Sequence, residues 1–191
     1  MTRSSRTLFT KLLHGVLLLC VTWQLAFSAA LERPRPASAG NLFYEIHRWI
    51  GLATLGAVIS FWLWSIVRKS ETPFAALFPW LSPRRRARVA DDLRIHLASL
   101  GRLRLPSPPA EETPLASAVH GLGLLVALAM GSTGAWLFTM SIPGGVLLEV
   151  HKAVSNLMWA YLIGHASLAV MHQLTGHPVL QRMFAWRSDT T

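Results

Sequence analysis

Residues 146–174, VLLEVHKAVSNLMWAYLIGHASLAVMHQL, decide how the whole chain is read. Glu149 and Lys152 are the only permanent charges in this run. It exceeds the roughly 20 apolar residues that a helix needs to cross a bilayer. Its two inner histidines, His151 and His165, are fourteen residues apart. Fourteen residues is almost four whole turns of helix, so both imidazoles share a face, about 21 Å apart along the axis at 1.5 Å per residue. That is about two-thirds of the roughly 30 Å hydrocarbon core.

The rest of the chain follows the same pattern. Of its 191 residues, 52% are hydrophobic and only 14% charged, against about 25% charged in an ordinary soluble domain; mean hydropathy is +0.39. Spans are expected at 8–31, 42–67, 115–141 and 146–174. Lipid offers no hydrogen-bond partner to an open backbone, so segments of this length are expected as helices. The fold class is therefore all-α, an integral membrane four-helix bundle forming a single domain over 1–191. Lys and Arg concentrate on the side that is not translocated, and 14 of the 18 basic residues lie in the N-terminal tail, the middle loop or the C-terminal tail. Both termini and the loop 68–114 are thus expected in the cytoplasm. The net charge of +9 then reflects topology. No stacking-aromatic pattern accompanies the basic residues, which argues against nucleic acid as a partner. Ser28-Ala29-Ala30 imitates a signal-peptide cleavage site, but the apolar run before it is long and carries His14, so retention is expected. The lone Cys20 supports no disulfide framework.

Five histidines fall inside the spans, His14, His47, His120, His151 and His165, and His172 lies near the end of the last. Ionisable groups are expensive in a bilayer and normally face a site or cofactor. Alternating span directions assign each a depth: His47 and His151 lie near the outer face, His14 and His165 in the inner half. Two imidazoles facing each other across a bundle core are what bis-histidine haem ligation requires. Zinc would want four ligands, usually with cysteine or carboxylate help, and no Asp, Glu or second Cys lies deep in the spans. Small residues beside these positions, Gly15, Gly51, Ala153, Gly164 and Ala166, would let a flat macrocycle approach.

The stretch His151-Lys152-Ala153-Val154-Ser155-Asn156-Leu157, with His165, His172 and Leu180-Gln181-Arg182-Met183 beyond it, resembles the closing helix and tail of the bacterial cytochrome b561 family. His14 resembles that family's first-helix ligand, His47 with Gly51 the second-helix motif, and His120 with Gly134 the third-helix pattern. The resemblance implies two haem b groups, one held by His14 with His165 and the other by His47 with His151. The sequence also departs from the family. Trp62 stands where an arginine often serves as a propionate partner, leaving Arg68 as the nearest basic candidate, and Gly131 stands where a proline often occurs. No basic residue immediately precedes His151.

Within the loop 68–114, Ser82-Pro83 signals a helix start and Gly101 a stop. Val89, Leu93, Leu97 and Leu100 recur at helical spacing, so 83–100 is expected as an amphipathic helix on the inner leaflet; a docking platform for a redox protein is the alternative. Residues 106–114 form a proline-rich linker. The function expected is electron transfer across the bacterial inner membrane to or from the quinone pool, with His120, His172 and Arg182 as quinone or propionate contacts and lipid, quinone and a redox protein as partners. Three alternatives remain: superoxide oxidase activity reducing ubiquinone, which the resemblance allows; a cytochrome b subunit anchoring a dehydrogenase or hydrogenase; and a haem-free metal carrier.

Overall fold

The computed structural model describes residues 6–68, 71–101, 113–174, 176 and 179–184, without the side chains of residues 100, 101 and 182. The part of the linker over 106–112 lies outside the described residues. The described chain is helical, in the order α1 Leu8–Ala26, α2 Leu42–Val67, α3 Phe74–Leu77, α4 Pro83–Gly101, α5 Pro114–Phe138, α6 Gly145–Leu174 and α7 Val179–Phe184, with single 3-10 turns at Ser28–Ala30 and Pro79–Leu81. Helices α1, α2, α5 and α6 are each long and apolar enough to cross a membrane. The molecule is an all-α membrane four-helix bundle.

Side-chain caps start three of these helices by satisfying backbone donors that have no partner inside the helix. Thr7 accepts from the amide of Thr10, Asn41 from that of Tyr44 and Thr113 from that of Ala116. Pro114 follows its cap at the first helical position, where its fixed φ suits the helix and its missing N–H leaves no bond unmade. The first apolar run stops being α-helix at Ala26 although apolar residues continue: the hydroxyl of Ser28 donates to Leu25 O, and the chain turns into the 3-10 segment. Between α1 and α2 the backbone reverses at Gly40, with φ of +83°. A Cβ there would stand 2.7 Å from the carbonyl oxygen of Glu32. The third run ends at Phe138, ahead of the breaker Ser141-Ile142-Pro143.

Helix α5 is the hub, packing against α2 and α6, and α2 packs in turn against α1. The buried apolar core takes one residue from each long helix: Leu25, Val58, Ala127 and Met158. Met158 is seven residues from His151 and seven from His165, so this layer sits between the two histidines on α6. The outward faces carry exposed Leu63, Ile66, Leu125, Leu157, Ile163 and Leu168, which in a membrane face lipid.

At the other end, Glu71 ties the start of α1 to the segment after α2. Its buried carboxylate accepts from the amide and hydroxyl of Thr7 and from the hydroxyl of Thr10, with Arg68 3.6 Å and Arg6 3.8 Å away. Arg68 also donates to Thr72 O. Its charge is thereby engaged at this corner.

Candidate functional site

His47 enters from the second turn of α2 and His151 from the second turn of α6, the two helices that flank α5. Their ring centroids are 6.3 Å apart and their planes cross at 88°. Both line one cleft, together with Gly51, Gly131, Gly134, Gln24 and Arg48. Two imidazoles that share one metal atom, each nitrogen about 2.0–2.1 Å from it, need ring centres roughly 6 Å apart. The observed separation fits.

The hydroxyl of Thr133 decides which nitrogen of His151 is available. Its one proton is donated to Ala129 O at 2.8 Å, the ordinary back-bond of a helical threonine. The same oxygen stands 2.8 Å from His151 Nδ1. Nδ1 is thereby engaged by Thr133, so Nε2 is the nitrogen left for a metal; a ring nitrogen held by a hydrogen bond while the other ligates is how metal-binding histidines are usually oriented. Buried polar atoms lacking a protein partner gather around the same cleft: His47 Nδ1, Gln24 Oε1 and Arg48 Nε. Leaving such atoms unsatisfied is expensive, and here they mark a place for a polar group.

Glycine makes the cleft. A Cβ at Gly134 would stand 3.2 Å from the His151 ring, one at Gly51 3.1 Å from Gln24 Nε2 and one at Gly131 2.8 Å from Leu55. Of the small residues named from sequence, Gly51 takes part, whereas Gly15 and Gly164 have open space beside them.

At the other level three histidines converge. His14 on α1 lies within electrostatic range of His165 and His120, and its Nδ1 is buried without a protein partner. The His165 ring is 5.3 Å from that of His120 and stacks on Tyr161 at 5.4 Å and 9°. Tyr161 fits because residue 123 is glycine: a Cβ there would collide with its ring. The His14 ring meets Phe184 of α7 edge-on at 6.0 Å. His172 is half-buried in the last turn of α6. Arg182 lies on α7, and its side chain is outside the described structure.

A model of the prokaryotic cytochrome b561 family matches residues 5–186. The chain belongs to this family. It is therefore a membrane b-type cytochrome of electron transfer that binds haem b. Searches of curated proteins and of solved structures returned no match. The residues present fit the cofactor that the cytochrome b561 family implies: facing imidazoles, a His151 whose Nδ1 is held by Thr133, and a glycine-lined cleft with partnerless polar atoms.

Sequence reading missed Thr133, Arg48 and Tyr161. Arg48 carries a visible signal, a cation next to a span histidine. Its guanidinium lies over the Phe138 ring at 4.3 Å and pairs with Glu45 at 3.0 Å. Thr133 and Tyr161 matter only through the helices they face, which one sequence does not specify.

Proposed function

We propose that the chain is a di-haem cytochrome of the bacterial inner membrane, with both termini cytoplasmic, that passes electrons between its two faces and exchanges them with the quinone pool. The haems supply reversible one-electron chemistry of the iron. His47 and His151 would hold one of them, and His14 and His165 the other. Thr133 engages Nδ1 of His151 and leaves Nε2 for the iron, and Tyr161 fixes the plane of His165. Arg48, beside His47 and lining the same cleft, supplies a cation for a propionate of the haem at that level. His120, His172 and Arg182 are the candidate contacts for a quinone headgroup or a propionate at the inner end, and of these only the histidines can give or take a proton.

The observation that carries this reading is the facing of His47 and His151 with Nδ1 of His151 held by the Thr133 hydroxyl. A reduced-minus-oxidised spectrum of the purified protein with a pyridine haemochrome assay tests it, and two haems per chain are expected. His47→Ala and His151→Ala should remove one and the same haem, and His14→Ala and His165→Ala the other. One haem per chain, or losses that pair differently, would overturn it.

A further inference from the structure

The face of α4 that packs is not its leucine stripe. Val89, Asp92, His96 and Ser99 are half-buried, and Asp92 Oδ2 accepts from the amide of Leu115 at 3.0 Å. This bond fixes the level of α4, because Leu115 is the second residue of membrane-spanning α5. The middle of α4 thus sits where the chain enters the bilayer. Leu93 and Leu97, four residues apart and so on one side of the helix, stay 43% and 59% exposed. Just upstream Trp80 and Leu81 are 46% and 86% exposed, in a segment anchored by α3, whose Leu77 carbonyl abuts Gly121 of α5. Tryptophan concentrates at the membrane–water boundary. Arginines 84, 86 and 88 are exposed at the start of α4, Arg86 on the side of Leu93 and Leu97 and the other two on the far side.

We propose that Trp80, Leu81 and the Leu93–Leu97 side of α4 form a foot that inserts into the adjacent leaflet, with Arg86, on that same side, binding an anionic phospholipid headgroup. Charge selects the occupant. A helix with an apolar side buries it at the acyl boundary while its basic residues meet lipid phosphates, and long arginine stems lie along apolar surface with the charge at the headgroups. A soluble acidic protein would match the arginines but leave Leu81 and Leu97 without an apolar solvent at the level where Leu115 places them.

The test uses the full chain in nanodiscs, with Cys20→Ser and a single new cysteine by Leu97→Cys. The rate of modification by a water-soluble maleimide is compared in phosphatidylcholine alone and in phosphatidylcholine with phosphatidylglycerol. A basic residue adds attraction at an anionic surface, so modification should slow about fivefold in the anionic discs. High salt, or Arg86→Gln, should abolish the difference, whereas Arg84→Gln should not. Leu93→Cys should behave like Leu97→Cys, whereas Ala98→Cys on the opposite side should react equally in both discs. Equal rates at positions 93 and 97 in the two bilayers would overturn the proposal. So would protection that appears only when a soluble acidic redox protein is added.

Discussion

A single hydroxyl sets the chemistry of His151. Thr133 engages Nδ1, which leaves Nε2 for a metal. Replacing the hydroxyl by a methyl of similar size isolates this effect. Under the proposed function Thr133→Val should weaken binding of the haem assigned to His151 by about 10–100-fold, the usual consequence of losing such an outer contact. Thr133→Ser should retain most of the affinity, and the other haem should be unaffected. Haem titration of the apoprotein, followed at the Soret band, reads this directly; equal affinity in the valine variant would remove Thr133 from the site. The positions of His47 and His151 were legible in the sequence because helical rise converts residue number into depth. Thr133 was not, because its role depends on the rotation of α5 against α6.

The long helices were legible from apolar length, and α2 runs from Leu42 to Val67 as its hydrophobic run does. Ends were less legible where turn chemistry, not hydropathy, stops the helix, as Ser28 does after α1. The four-residue α3 could not be read, because so short a helix has no periodicity and exists through packing. Its Leu77 carbonyl lies where a Cβ of residue 121 would be, so α3 docks only because residue 121 is glycine. Gly121→Ala should therefore displace α3 and destabilise the protein by about 1–3 kcal/mol, the range for overfilling a packed site. Gly56→Ala, at an α2 position with open space beside it, should instead be neutral or stabilise by up to about 1 kcal/mol through helix propensity. Thermal unfolding of both variants in the same detergent compares them. A Gly121→Ala midpoint equal to that of the parent would mean that α3 is not held by this contact.

Four spans of alternating direction return both chain ends to one face, and the layer of Leu25, Val58, Ala127 and Met158 lies between the histidine levels on α6. Under the proposed function neither level alone connects the two faces: His151 and His165 are about 21 Å apart along α6 at 1.5 Å per residue, most of the roughly 30 Å apolar thickness. An electron confined to one level has that distance left to cross through side chains that carry no redox group. Vesicles holding the purified protein, with trapped ferricyanide inside and an impermeant reductant outside, measure the crossing. The parent should bleach the ferricyanide, and His47→Ala or His165→Ala should each slow it about tenfold or more, since either loss reopens a gap of that order. Each variant should still reduce its remaining haem in detergent, which separates a broken path from a misfolded chain. Parental rates in both variants would mean that electrons cross without needing both levels, and that the second pair of histidines has another purpose; no bleaching by the parent would mean that electrons enter and leave at one face.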